Sequence, residues 1–106
     1  MYSYIANIGR NVDSTPMSDA RWADFIASVK ADMMTALDAD KISVIEVSEG
    51  MGEWEGIPEP NATIAVRRHT QAQDSQVEHL RRYLSENARI FDQDAIALTI
   101  GISELC

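Results

Sequence analysis

The alternation of apolar and polar residues predicts two amphipathic helices and four strands in this chain. Residues 2–9 place Tyr2, Tyr4 and Ile8 on one side of an extended segment, which is typical of a strand with one buried face. A helix is predicted next, with Ser18 as its N-cap and Asp19 in its first turn. Its apolar residues recur at helical spacing and form one stripe: Trp22, Phe25, Ile26, Val29, Met33 and Leu37.

The second half of the chain repeats these patterns. Residues 42–47 are a β-branched apolar run and residues 63–68 alternate, so both are predicted strands, separated by a glycine- and proline-rich loop over residues 49–60. Residues 75–78, Ser-Gln-Val-Glu, fit a capping box that opens a second helix. The apolar stripe of that helix runs from Val77 to Phe91, and the alternating residues 96–102 predict a last strand.

The order β-α-β-β-α-β is typical of the ferredoxin-like fold, an α+β architecture. We therefore expect a single domain over residues 1–106, with a four-stranded antiparallel sheet in the order 4-1-3-2. Both helices are expected on one face of this sheet. The apolar residues expected beneath them are Ile64, Val66, Ile96, Leu98, Ile100 and part of the first strand.

The other face of the predicted sheet has small side chains of mixed polarity. Its members are Ser3, Ile5, Asn7, Thr63, Ala65, Arg67, Ala95, Ala97 and Thr99. Two interpretations are open: the face is solvated, or it meets a second copy in a homodimer whose two sheets close an α/β barrel.

Charge and composition narrow the classes of partner. Seventeen acidic and nine basic residues give a net charge of −8, and such a surface repels nucleic-acid phosphates and anionic lipids, so we expect neither nucleic acid nor a membrane as partner. The N-terminus does not have the pattern of a signal peptide, and no apolar run approaches about 20 residues, so a cytoplasmic location is expected. The one cysteine, Cys106, excludes an internal disulfide and a cysteine-rich zinc site.

The residue types that carry chemistry do not form a known motif. His69 and His79 lie outside any paired-ligand spacing, so no metal is predicted. The Gly50-x-Gly52 segment is surrounded by glutamates, which would repel a phosphate, so no nucleotide cofactor is predicted either. Five arginines concentrate on the third strand and second helix, and we expect them to pair with acids such as Glu46, Glu78 and Glu86: Arg67, Arg68, Arg81, Arg82 and Arg89.

The segment around Trp54 offers a tryptophan flanked by acids. An apolar anchor inside a charged rim is the composition of a binding hot spot, and the predicted partner-binding residues are Glu53, Trp54, Glu55 and Ile57. Two other interpretations are open: a solvated hairpin whose tryptophan covers an edge of the core, and proton transfer by Glu53 and Glu55, which would need a pocket.

Three segments together resemble small uncharacterised proteins of actinobacteriophages. They are residues 17–25 (Met-Ser-Asp-Ala-Arg-Trp-Ala-Asp-Phe), residues 52–56 (Gly-Glu-Trp-Glu-Gly) and residues 91–99 (Phe-Asp-Gln-Asp-Ala-Ile-Ala-Leu-Thr). The chain is similar, more distantly, to an uncharacterised bacterial family with a helix-opening Ser-Asp-x-x-Trp-x-x-Phe and a later Gly-x-Trp. The resemblance implies a ferredoxin-like domain of the dimeric α/β-barrel type, acting in a phage-infected bacterial cytoplasm, and it carries over no catalytic residues.

The sequence favours a non-enzymatic, phage-encoded protein that binds and modulates a host protein, and no catalytic residues are predicted. The first alternative is a small-ligand-binding or enzymatic dimeric α/β barrel, whose polar groups would be Tyr4, Asn7, Arg67, His69 and Thr99. The second is an acidic mimic of DNA, which the interspersed arginines disfavour.

Overall fold

The computed structural model describes residues 1–104, and these form six strands and two α-helices. A short 3-10 turn, Ala39–Lys41, follows the first helix. In chain order the elements are β1 (Tyr2–Gly9), β2 (Asn11–Val12), β3 (Thr15–Pro16), α1 (Asp19–Ala36), β4 (Ile42–Trp54), β5 (Ile57–Arg68), α2 (Asp74–Ile90) and β6 (Ala97–Ile102).

Four of the strands form one antiparallel sheet in the order β4-β5-β1-β6. Residues opposite one another share a face, so the register Tyr4–Val66 and Tyr4–Ile100 defines one face and Asn7–Thr63 and Asn7–Ala97 the other. The predicted α+β architecture, with two helices and a four-stranded antiparallel sheet, is therefore confirmed. The hairpin of β2 and β3, a separate two-stranded sheet, was not predicted.

Both helices contribute their apolar stripes to one core. Trp22, Phe25, Val29 and Met33 of α1 are buried, as the spacing predicts, and Leu80 and Leu84 of α2 join them on Tyr4, Ala6, Ile8, Ile64 and Val66 of the sheet. Phe25 also stacks on Phe91, just after α2, with ring centroids 4.6 Å apart. Each large apolar side chain in this layer contributes about 1.5–3 kcal/mol by leaving water.

The segment predicted as a long loop, residues 49–60, belongs almost entirely to strands. β4 and β5 pair from Ile42–Arg68 to Trp54–Ile57 and leave only Glu55 and Gly56 as the turn. The prediction of a loop was wrong because it took the prolines at positions 58 and 60 as residues that end a strand. They lie where β5 has passed the end of β1, which pairs with β5 only from Asn61 onward, and a residue without an N–H is tolerated where a strand has one neighbour.

The predicted ends of two other elements also need correction. Ser18 is the N-cap of α1, as predicted, and its hydroxyl accepts a hydrogen bond from the Arg21 amide at 3.2 Å. The second helix begins earlier than predicted, because its capping box joins Gln73 and Gln76 rather than residues 75 and 78. Gln73 has the extended backbone of an N-cap, and the Gln76 side chain accepts its amide at 2.8 Å.

The last strand is less buried than its alternation suggested. β6 begins at Ala97, one residue after Ile96, and Ile100 and Ile102 are 45% and 76% exposed. Because β6 is an edge strand with β1 on one side only, its outer apolar residues lack a neighbouring strand to cover them.

Neither α1 nor α2, the helices of the described part of the chain, is long and apolar enough to cross a membrane.

Candidate functional site

A cavity of about 440 Å³ lies at the end of the sheet where β1 ends and where β5 and β6 begin. This size falls in the range of small-ligand sites, about 300–1,000 Å³. The hairpin of β2 and β3 and the turn between α2 and β6 complete its walls. Its lining residues are Asn7, Gly9, Asn11, Asp13, Ser14, Trp54, Glu55, Ile57, Glu59, Asp92, Gln93, Asp94, Ala95 and Ala97.

Three turns with left-handed backbone form the rim of the cavity. Asp13 and Ser14, between β2 and β3, have φ of 49° and 65°, and Glu55 and Gly56, between β4 and β5, have φ of 51° and 80°. Positive φ at both central residues is the geometry of a tight type I′ hairpin turn. Asp92, after α2, has φ of 57°. Strained non-glycine residues concentrate at functional sites in proteins, and four such residues line this one cavity.

Asn11 connects the walls of the cavity to one another. Its backbone amide donates to Glu59 Oε2 at 3.1 Å, and its backbone carbonyl accepts from Gln93 Nε2 at 2.9 Å. Gly9 permits this arrangement, since a Cβ at that position would collide with the Glu59 carboxylate. The strand β5, the β2–β3 hairpin and the turn after α2 are therefore held in a fixed relation around the cavity.

The cavity is acidic. Five of its lining residues are carboxylates, and none of the fourteen is lysine, arginine or histidine: the acids are Asp13, Glu55, Glu59, Asp92 and Asp94. Asp92 is paired with Arg21 at 2.9 Å, whereas the other four form no ion pair within residues 1–104. In the same described range, no group of three or more His, Cys, Asp or Glu side chains is arranged to hold a metal ion.

Trp54 and Ile57 form the apolar part of the site. They lie opposite each other at the end of the β4–β5 hairpin, and they are 58% and 45% exposed. The face of an exposed indole can stack on a flat aromatic group or attract a cation, and the neighbouring carboxylates also attract a cation. The arrangement suits a ligand that combines an aromatic ring with positive charge.

The structure separates the four residues predicted around Trp54. Trp54, Glu55 and Ile57 line the cavity, but Glu53 does not. Strand alternation places Glu53, together with Met51, on the opposite face of the β4–β5 hairpin.

The five polar residues predicted for a ligand-binding barrel lie in different places. Only Asn7 lines the cavity, where its Nδ2 donates to Thr63 Oγ1 at 3.1 Å. Tyr4 is buried between the helices and the sheet, and its hydroxyl accepts from the Ala72 amide at 2.8 Å.

The remaining three of those residues lie away from the cavity lining. Thr99 is on the open face of the sheet, opposite Ile5. Arg67 lies on that face six residues along β5 from Asn61, about 20 Å at the usual rise of a strand, and pairs with Glu46 at 3.2 Å. His69 is exposed immediately after β5.

Most of the acidic lining was not predicted. Asp13, Glu59, Asp92 and Asp94 come from three separate segments of the chain, and only folding brings them to the same end of the sheet. One indication is present in the sequence: an Asp-Ser pair between Val12 and Thr15 suits a two-residue hairpin turn. The sequence alone does not show that this turn faces Trp54.

The fold is similar to two solved structures of a phage SAM lyase. The structure in complex with S-methyl-5′-thioadenosine matches with a TM-score of 0.57 and 16% sequence identity, over 94% of this chain and 79% of that chain. The apo structure matches with a TM-score of 0.60 and 15% identity, over 94% of this chain and 78% of that chain. No protein-family model and no curated protein sequence matches this chain.

These structures correct the leading prediction. A non-enzymatic protein that binds and modulates a host protein is contradicted, because two solved structures that share this fold over most of the chain are those of an enzyme from phage. The comparison favours the enzymatic alternative. The prediction failed because the cavity, which would have suggested an enzyme, is assembled from segments that are distant in the chain.

Proposed function

We propose that this protein is a lyase that cleaves S-adenosylmethionine (SAM) or a closely related sulfonium nucleoside, and that the acidic cavity beside Trp54 is its active site. The observation that carries the proposal is a cavity with an exposed tryptophan, whose charged lining residues are all acidic, in a chain whose fold is similar to that of a phage SAM lyase. We also propose that the domain is ferredoxin-like. Taking β1, β4, β5 and β6 as first to fourth, the sheet order viewed from β6 is 4-1-3-2.

The chemistry of the substrate fits the lining. SAM combines a purine ring with a positively charged sulfur. The purine can stack on the exposed indole of Trp54, a contact worth about 1–3 kcal/mol per base in nucleic-acid complexes. The sulfonium is attracted by Glu55 and the other carboxylates, which lie in a concave site where fields are stronger than on an open surface.

The reaction removes the positive charge from the sulfur of the nucleoside. When SAM is converted to S-methyl-5′-thioadenosine, the bond between sulfur and the aminocarboxypropyl carbon breaks and its electron pair stays on sulfur. In the same step an oxygen of the substrate's own carboxylate donates an electron pair to that carbon and closes a lactone, so no water is consumed and no proton is transferred. The carboxylates favour the cationic substrate over the neutral thioether, so we assign them to substrate binding and product release rather than to acceleration of the bond-breaking step.

Turnover of SAM tests the proposal directly. The purified protein is incubated with SAM, and S-methyl-5′-thioadenosine is measured by liquid chromatography. For Glu55→Gln we expect KM to rise about three- to tenfold with little change in kcat, the pattern of a lost binding interaction. Glu53→Gln is the matched control, because it removes the same charge from the opposite face of the same hairpin, and its KM should not change.

Trp54→Ala tests the aromatic part of the site. We expect the KM for SAM to rise at least about tenfold, because a base-stacking surface is lost. Met51→Ala is the control, since it removes another exposed apolar side chain of the hairpin that does not line the cavity. Absence of S-methyl-5′-thioadenosine with the unmodified protein, or equal kinetics for Trp54→Ala and Met51→Ala, would refute the proposal.

The origin and location of the protein follow from the same proposal. The two solved structures described above are of a phage protein, and residues 17–25, 52–56 and 91–99 resemble actinobacteriophage sequences. We therefore propose a phage-encoded enzyme that acts on the SAM pool in the cytoplasm of an infected bacterium.

A further inference from the structure

The cavity contains five carboxylates and no basic side chain that could pair with a ligand's carboxylate. Proteins bind a ligand's carboxylate with an arginine fork, a lysine or a set of free amides. None of the fourteen lining residues is basic. Two arginines belong to the neighbouring segments, and both are engaged: Arg21 with Asp92 at 2.9 Å and Arg10 with Asp19 at 2.6 Å.

Each side-chain amide of the lining already uses one of its two N–H donors within the protein. Nδ2 of Asn7 donates to Thr63 Oγ1 at 3.1 Å, and Nε2 of Gln93 donates to the Asn11 carbonyl at 2.9 Å. Nδ2 of Asn11 donates to the Pro58 carbonyl at 3.5 Å, whereas its Oδ1 is buried and accepts no hydrogen bond within the described residues. With the carboxylate oxygens and the unpaired Asn11 Oδ1, the lining presents more hydrogen-bond acceptors than donors.

SAM itself presents this lining with an unfavourable group. Its aminocarboxypropyl arm ends in an ammonium and a carboxylate, and the carboxylate would lie among like charges. A sulfonium nucleoside that keeps the amine but lacks the carboxylate carries two positive charges and no negative one. Its ammonium supplies three donors, which match the surplus of acceptors.

We propose that the cavity prefers a sulfonium nucleoside with an amine and no carboxylate, such as decarboxylated SAM, over SAM itself. This inference rests on the proposed function, because it concerns the same cavity. It assigns Glu55, Glu59 and Asp94 to recognition of the second positive charge, at the end of the ligand's carbon arm.

The experiment compares the two nucleosides in one assay. Half-saturation by SAM is measured from initial rates of S-methyl-5′-thioadenosine formation. Half-saturation by decarboxylated SAM is measured in the same way, or from its inhibition of SAM cleavage if it is not cleaved. We expect the carboxylate-free compound to saturate the protein at an at least tenfold lower concentration, equivalent to about 1.4 kcal/mol.

A charge reversal makes the test sharper. In Asp94→Lys a cation replaces an exposed carboxylate of the cavity, and we expect the tenfold preference to disappear or to favour SAM. Asp24→Lys on α1 is the control: it changes the net charge equally at an exposed position outside the lining, and the preference should persist.

The outcomes distinguish this inference from the proposed function. If SAM is cleaved and saturates the protein as tightly as the carboxylate-free compound, the preference is wrong and the lyase proposal stands. An equal effect of Asp94→Lys and Asp24→Lys on the preference would also overturn the inference. If neither compound is bound or cleaved, both proposals are wrong.

Discussion

Asn87 is a polar side chain at the centre of the contact between α1 and α2. It is 1% exposed, and its amide nitrogen donates to Asp32 Oδ2 at 2.7 Å and to the Tyr83 carbonyl at 2.9 Å. Its oxygen accepts from the Ser28 hydroxyl at 2.6 Å. All the hydrogen-bonding groups of this side chain thus have partners, and the pairing specifies how the two helices are aligned.

Replacing Asn87 by alanine should therefore destabilise the protein. We expect the free energy of unfolding in urea to fall by about 1–3 kcal/mol, because Asp32 and Ser28 lose a partner in a partly buried place. Ser85→Ala on the exposed side of α2 is the control and should change the free energy by less than about 0.5 kcal/mol. Equal midpoints for the two variants would show that the interhelical network does not contribute to stability.

Arginines show how far single residues could be predicted. The expected pairing of Arg67 with Glu46 is confirmed at 3.2 Å, and Arg89 pairs with Glu86 at 2.9 Å. Arg68 behaves differently: it is 2% exposed and donates to the Leu37 carbonyl at the end of α1, at 2.9 Å. Its burial depends on where α1 ends in space, which local sequence patterns do not report.

At the scale of elements, the β4–β5 hairpin decides the shape of the site. Its thirteen- and twelve-residue strands extend beyond β1 and carry Trp54 and Ile57 to the rim of the cavity. The turn between them depends on Gly56, whose φ of 80° is costly for any residue with a Cβ.

Gly56→Ala tests this turn. A Cβ there would meet no atom within 4 Å, so the cost comes from the backbone alone, and we expect the free energy of unfolding to fall by about 1–2 kcal/mol. Gly101→Ala is matched to it. Its Cβ also meets nothing, but its φ lies outside the left-handed range, so it should leave stability unchanged or raise it by up to about 1 kcal/mol. Urea titrations of both variants measure the difference, and a loss in Gly101→Ala as large as in Gly56→Ala would contradict it.

At the scale of the whole molecule, charge is unevenly distributed. The chain has a net charge of −8, and five of its seventeen acidic residues line one cavity that has no basic residue. Three of the nine basic residues, Arg81, Arg82 and Arg89, lie together on the exposed side of α2 instead. Arg81 and Arg89 are paired there with Glu78 and Glu86, so it is the carboxylates of the cavity that create a field attracting cations to the end of the sheet.

Ionic strength should therefore change the affinity for a cationic substrate and not for its neutral product. Between about 0.02 and 0.5 M sodium chloride the Debye length falls from about 20 Å to about 4 Å, so we expect the KM for SAM to rise about three- to tenfold. The inhibition constant of S-methyl-5′-thioadenosine, which is uncharged at sulfur, should change less than about twofold. Parallel salt dependence of the two constants would show that carboxylates do not recognise the substrate's charge.

The sequence by itself determined the two helices, the positions of the four main strands and most of the side chains that they bury. A helical stripe from Trp22 to Leu37 and the alternation in residues 2–9 are local patterns, since neighbours along the chain decide which side chains point the same way. The same rule correctly placed Asn7, Thr63 and Ala97 on one face of the sheet.

Only the tertiary structure decided that this protein has a cavity. Asp13, Glu55 and Asp94 are separated by about forty residues from one to the next, and they come together because antiparallel pairing brings the end of β1 beside the starts of β5 and β6. Pairing between distant strands depends on contacts of the whole sheet, which no window of the sequence contains. The net negative charge of the protein therefore follows from its composition, whereas the concentration of acidic residues around Trp54 is a consequence of the fold.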